Sequence, residues 1–326
     1  MKMNRIIIKA LFFAAFALLL CINVCAVTDT DGYTLISTSD EFLAVADDLD
    51  GNYRLAGDID LADTEFKMIG SIDDPFTGNF DGAGYSVKNI KITASDDADL
   101  YAAVFVSNEG TITNVVFDGI TVSAGSSKSV YAAAVAARNI GDITEVTVQN
   151  STVTARSGFY SARAAAITAY NYRLGSISTC TTSAEIKAVS LHMYSSAAGV
   201  AAVNLGDITG CVNNGSITSN ALFDYAVADG IVAEGDGSVT ECESTGDIYT
   251  GTEEILLGDV DGDSSITPTD GVVLSRYLAS WAGYEDTIVK AASDVDENGS
   301  IEPTDGVILS RYLANWSGYE VLPYKN

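Results

Sequence analysis

One histidine and four prolines in 326 residues set the first limits. A Cys₂His₂ zinc site cannot be built, and imidazole catalysis would rest on His192 alone, which reads more simply as a surface or strand residue. Positive charge is scarce: 17 Lys and Arg face 44 Asp and Glu, a net −27, so nucleic acid is a poor partner. Charged residues make up only 19% against 47% hydrophobic ones, which excludes a disordered acidic polymer. Beyond the first 26 residues no apolar run reaches the roughly 18 that a membrane helix needs.

Residues 1–26 carry Lys2, Arg5 and Lys9, then an apolar run from Leu11 to Leu20, and end Val24-Cys25-Ala26. This is the pattern of a secretory signal peptide cleaved after Ala26. Acylation at Cys25 is the alternative, with Val24 standing where a small residue is expected. Export to an oxidising, calcium-rich exterior is the expectation, with no membrane span once the signal is removed.

The abundant Gly, Ala, Thr, Ser, Val and Ile favour strands and turns. They are also periodic. Gly110, Gly141, Gly175, Gly206 and Gly237 recur at intervals of 31, 34, 31 and 31 residues. Two places after each stands Ile112, Ile143, Ile177, Ile208 or Val239, and five places after stands Val115, Val146, Cys180, Cys211 or Cys242. A third apolar phase runs through Val122, Val153, Ile186, Ile217 and Ile248, and an aromatic-led small-residue strand precedes each glycine, as in Tyr101-Ala-Ala-Val and Tyr131-Ala-Ala-Ala-Val. Three short strands per repeat make one coil. Coils stacked about 4.8 Å apart superpose equivalent apolar residues and pair every strand except at the two ends. The expected fold is mainly β: a right-handed parallel β-helix over residues 101–250, behind an N-terminal cap and first coils over 27–100. Ser39-Asp-Glu-Phe-Leu-Ala-Val-Ala suits a short capped helix lying as a lid over the first coil. The three in-phase cysteines are expected to form a ladder of buried thiols, a disulfide between neighbours being the alternative.

Phe76-Thr-Gly-Asn-Phe-Asp-Gly-Ala-Gly-Tyr85 and the Gly-x-Ile-x-x-Cys repeats resemble the GLUG-repeat family of secreted bacterial proteins over roughly residues 30–250. Such motifs speak to fold more than to activity.

After Thr250 a new period of 35 residues begins: Asp259-Val-Asp-Gly-Asp-Ser-Ser-Ile-Thr-Pro-Thr-Asp270 recurs as Asp294-Val-Asp-Glu-Asn-Gly-Ser-Ile-Glu-Pro-Thr-Asp305. Oxygen side chains at positions 1, 3, 5 and 12, with a carbonyl at 7, are what a Ca²⁺ shell of six to eight oxygens requires. Each loop runs into the same helix, Gly271-Val-Val-Leu-Ser-Arg-Tyr-Leu-Ala and Gly306-Val-Ile-Leu-Ser-Arg-Tyr-Leu-Ala. The pair resembles a type I dockerin, a small α-helical calcium-folded module that plugs into cohesin domains of cellulosome-type scaffolds, and the module is assigned residues 257–326. The resemblance implies two Ca²⁺ ions. Asp259, Asp261, Asp263, the Ser265 carbonyl and Asp270 would hold one; Asp294, Asp296, Asn298, the Ser300 carbonyl and Asp305 the other, with Thr267 and Glu302 reaching the metals through water. It also maps cohesin contacts onto Pro268, Thr269, Ser275, Arg276 and Ser280, and onto Pro303, Thr304, Ser310, Arg311 and Asn315. The near-identity of the two sets implies two docking orientations related by a half-turn. Ser264 replaces the glycine that position 6 prefers and Gly299 keeps it, so weaker binding is expected at the first loop. The short linker Glu253-Glu-Ile-Leu-Leu257 suggests a module seated directly on the last coil, with Trp281, Tyr284, Trp316 and Tyr319 closing its small core.

No catalytic residue is assigned. Arg138, Arg163, Arg173 and Lys187 are the candidates for a polysaccharide lyase; Asp142, Asp207, Asp118 and Glu145 are those for a glycoside hydrolase. The leading expectation is a secreted, non-catalytic β-helix docked through cohesin and displayed toward plant or cell-surface polysaccharide. A polysaccharide-degrading enzyme and a structural spacer are the alternatives.

Overall fold

A computed structural model describes residues 28–222, 225–251, 256–263, 265–284 and 288–324; the signal segment, Ser264 and most of the linker lie outside them. Within these residues the glycine-headed repeat becomes a parallel β-solenoid. One coil reads Thr111–Thr113, Val116–Asp118, Thr121–Ser126, Val130–Ala133 and Ala136–Asn139, five short strands where the sequence suggested three. The extra corners fall where the backbone can turn sharply. Asn114, with φ 51°, separates the first two strands, and the buried pair Ala134-Val135 separates the last two. Coil upon coil, these strands build parallel sheets of eight, seven, six, five and five strands.

The register follows the repeat. Phe80, Ile112, Ile143, Ile177, Ile208 and Val239 superpose in the eight-stranded sheet. Ile92, Val122, Val153, Ile186, Ile217 and Ile248 do the same in the six-stranded one. Burying such columns supplies the main stabilisation, roughly 25 cal/mol per Å² of apolar surface removed from water. Cys180 and Cys211 lie buried in their phase and Cys242 is half-buried, all three as free thiols.

The glycines owe their place to close approach. A Cβ on Gly141 would stand 2.0 Å from the Gly110 carbonyl oxygen, and one on Gly206 2.1 Å from that of Gly175. Just before them runs a feature not foreseen from the sequence, a ladder of buried asparagines. Asn108 donates to Asn139 Oδ1, Asn139 to Asn171 and Asn171 to Asn204, each at 2.8 Å. Each amide also reaches the carbonyl of its own coil's glycine, at 3.0 to 3.3 Å.

The first coil carries a short helix on its N-terminal side. The helix Ser39–Leu43 is capped by Thr38 in a capping box with Glu41, and continues as a 3₁₀ turn over Ala44–Asp47. Phe42 and Val45 are buried, and the Phe42 ring lies 5.8 Å from that of Phe80, edge to face. At the opposite end, Val239, Ile248 and Tyr249 on the last coil are 42, 44 and 57% exposed among the described residues.

The helical region packs its own core from Val260, Leu274, Ile288 and Leu309. Its expected seat on the last coil is not what is found. The region lies along the flank of the six-stranded sheet, where Val289 and Ala292 pack with Val189 and Leu191. Arg156, from the strand Thr152–Ser157, sends its Nε to the Gly262 carbonyl and brings Nη2 to 3.6 Å from Asp259.

Candidate calcium loops and docking face

Each acidic loop ends in a helix whose start is fixed by its own aspartate. Pro268–Leu278 is capped by Thr267, with Asp270 at the third helical position; Pro303–Leu313 is capped by Glu302 with Asp305. Proline at the first turn costs no hydrogen bond there, since those N–H groups have no partner within the helix. Asp270 is fully buried. Its Oδ1 accepts from the N–H groups of Val260 at 2.6 Å and Asp261 at 3.0 Å, and its Oδ2 from Thr267 at 2.7 Å. Asp305 repeats this, accepting from Val295 and Glu302 at 2.9 Å each. Position 12 therefore pins both ends of its loop, a role that the metal-ligand pattern did not foresee.

Carboxylate oxygens of Asp259, Asp261 and Asp263 lie within 4.8 Å of one another, and so do those of Asp294, Asp296 and Asp305. Oxygens on opposite sides of one Ca²⁺ stand about 5 Å apart, so both trios fit such an ion. Asp270 stands outside the first trio. In both loops position 5 ties down position 7: Ser265 N–H donates to Asp263 Oδ1 at 2.8 Å and Ser300 N–H to Asn298 Oδ1 at 3.0 Å. Crowding leaves its mark on acidity. Burial first, then the charges of Asp270, Asp263 and Asp259, push the Asp261 carboxyl up to about 7. Burial likewise raises Asp305, with Asp296 and Asp294 adding to it against the pull of two backbone N–H donors. A dication relieves such repulsion by replacing the missing counter-charge.

The two helices lie side by side and expose two matching grooves. One, of about 650 Å³, is lined by Pro268, Val272, Ser275, Arg276 and Trp281; the other, of about 680 Å³, by Pro303, Val307, Ser310, Arg311 and Trp316. Ser275 and Ser310 are exposed, each donating to a carbonyl one turn back, Gly271 or Gly306, at 2.7 Å. Thr269 and Thr304 are exposed in the first helical turns. Ser280 and Asn315, at φ 54° and 52°, terminate the helices in left-handed conformation. The terminal aromatics do not close the core. Trp281 and Trp316 are 57 and 56% exposed, and their rings face the guanidinium groups of Arg276 and Arg311 at 5.5 and 5.3 Å. Tyr284 and Tyr319 flank the same two arginines at 5.2 and 5.0 Å. Cation–π contact with these guanidinium groups holds the two indoles at the module's surface.

On the solenoid, the residues weighed for catalysis do not converge. Arg138 pairs with Glu109 at 2.9 Å and Ser107 at 2.8 Å; Arg163 meets Glu234 at 3.7 Å; Arg173 meets Asp236 at 4.0 Å. Lys187 sits half-buried on the strand Glu185–Ser190. Asp142 and Asp207 are both exposed in the eight-stranded sheet with Ser176 between them, roughly 9.6 Å apart as two strand spacings. Asp118 is held by Gln149 and Asn150, and Glu145 occupies an exposed left-handed turn. His192 is half-buried and stacks on Phe159 at 4.5 Å.

Duplicated acidic loops, each leading into a capped helix, define a calcium-loop module carried on a β-solenoid. Residues 257–314 match the Dockerin type I domain family, so this module is a type I dockerin. Domains of that family bind Ca²⁺ and dock into cohesins of cellulosome-like complexes. Comparison with curated proteins finds no match. Among solved structures, an immunoglobulin-A1-protease-like protein from Bacteroides ovatus is similar at TM-score 0.54 and 16% identity, covering 68% of this chain and 78% of that one. At that identity the likeness concerns the fold alone. Among the described residues, no helix is long and apolar enough to cross a membrane.

Proposed function

We propose that the chain is a secreted component of a cellulosome-like complex, docked through Ca²⁺-dependent dockerin–cohesin binding, with its solenoid displayed as a non-catalytic surface for polysaccharide. The carrying observation is the pair of carboxylate trios, each continuing into a capped helix on a module of the dockerin type I family. Two ions, one per trio, fix the loops from which both docking helices start. Exposed tyrosines on successive coils, Tyr160, Tyr194 and Tyr225, support the display role, since aromatic faces pack against sugar rings.

Titration of the full chain with purified type I cohesins is expected to show binding with saturating Ca²⁺ and at least about a 100-fold weakening with chelator, some 2.7 kcal/mol. Binding that persists undiminished in chelator would count against the proposal. Retention on insoluble glycans without release of reducing sugar or unsaturated uronide is the expected behaviour of the solenoid. Sugar release would instead favour a degrading enzyme.

A further inference from the structure

The duplicated module offers two similar docking faces, but the solenoid treats them unequally. Between the flank and the module lies a cleft of about 960 Å³. Its solenoid wall includes Ser95, Asp97, Ser123 and Ser126, and every module residue lining it comes from the first copy or from the turn after its helix, Thr269, Val272, Arg276 and Tyr284 among them. The loops differ in the same sense. Asp259 and Gly262 of the first are buried under Arg156 and Leu191, while their counterparts Asp294 and Glu297 are half-buried and exposed. Position 4 of the loop explains the seat: a Cβ on Gly262 would stand 2.8 Å from Leu191 Cδ1 and 3.0 Å from Val289 Cγ2, whereas the second copy carries glutamate there.

We infer that the solenoid selects one of the two docking orientations, the one in which the second copy, through Pro303, Thr304, Ser310 and Arg311, leads into the cohesin. The inference rests on the docking reading. Val272 in the cleft is as exposed as Val307 outside it, 47 against 48%. That exposure is to water: the cleft takes solvent or a side chain, not a domain that needs about 800 Å² of open surface on each partner. The strands Lys91–Asp96 and Thr121–Ser126 wall this cleft together with Thr269 and Arg276, so a cohesin led by the first copy meets the solenoid beside its contacts, whereas no solenoid residue lines the groove of the second copy.

The test is cohesin titration of the full chain with matched double substitutions, Ser275→Asp with Arg276→Glu and Ser310→Asp with Arg311→Glu. Within the module the two pairs make matching contacts, Arg276 with Trp281 and Tyr284 and Arg311 with Trp316 and Tyr319, and the thermal midpoint of each variant in saturating Ca²⁺ checks that folding is kept. The second-copy pair is expected to weaken binding at least about 100-fold and the first-copy pair less than about 3-fold. Adding Gly262→Glu, which pushes the module off Leu191, is expected to restore binding to the second-copy variant by freeing the other face. Equal losses from the two pairs, little loss from either alone, or no recovery with Gly262→Glu would each overturn the selection. An unmodified chain that binds no cohesin in saturating Ca²⁺ would instead overturn the docking reading beneath it.

Discussion

Asn139→Ala is expected to destabilise the solenoid by about 3 kcal/mol, because buried amide partners are left without their hydrogen bonds. Asn139 accepts from Asn108, donates to Asn171 and reaches the Gly141 carbonyl, all inside a fully buried ladder. After truncation the Asn108 donor keeps only its longer contacts, at 3.3 and 3.5 Å to the carbonyls of Gly110 and Asp142, and Asn171 Oδ1 loses its donor. Thr111→Ala, at a half-exposed site on the eight-stranded sheet, should change stability by less than about 0.5 kcal/mol. Urea denaturation followed by far-ultraviolet circular dichroism would show the difference as a lowered midpoint. An Asn139→Ala midpoint equal to that of Thr111→Ala would mean the ladder contributes nothing net.

The second large effect is expected at Asp270. Its carboxylate accepts three backbone N–H groups and joins both ends of the first loop, so Asp270→Ala strands the buried Val260 donor and the half-buried donors of Asp261 and Thr267 at a cost of about 3 kcal/mol. These bonds do not involve a metal, so the loss should persist in chelator. Asp263→Ala is the informative contrast, because among the described residues this exposed carboxylate holds the Ser265 N–H alone and should act mainly through Ca²⁺ affinity. The chain's two tryptophans, Trp281 and Trp316, both lie in the module, so their fluorescence reports its melting apart from the solenoid. If Asp270→Ala left that signal unchanged in chelator, position 12 would be a metal ligand alone.

Much of this architecture was legible because a solenoid writes its core as a period. Ile112, Ile143, Ile177 and Ile208 recur at 31, 34 and 31 residues, close to the even spacing that stacking favours, and the observed register pairs them in turn, the longer repeat absorbing its extra residues outside the strands. The acidic loops were legible for the same reason, two copies with oxygens at fixed intervals. The asparagine ladder escaped notice although Asn108, Asn139 and Asn204 stand two residues before their glycines; the longer turn Asn171-Tyr-Arg-Leu-Gly175 breaks the phase. Arg156 carried no sequence signal, since its partners Gly262 and Asp259 are about a hundred residues away and meet it only once the module lies back along the flank. The indoles read in the sequence as core residues, because a ring that fills a small core and one held against a surface guanidinium occupy the same place at a helix end.

That flank contact constrains how such a chain can vary in length. Each coil pairs only with the coils beside it, so a whole coil inserted after Ile217–Ala221 would leave everything before it undisturbed. One inserted between Lys91–Asp96 and Glu185–Ser190 would shift Arg156 and Leu191 by a strand spacing relative to the rest of the module's footprint. The dockerin thus lies like a ruler along the middle coils, its contacts matched to their present spacing.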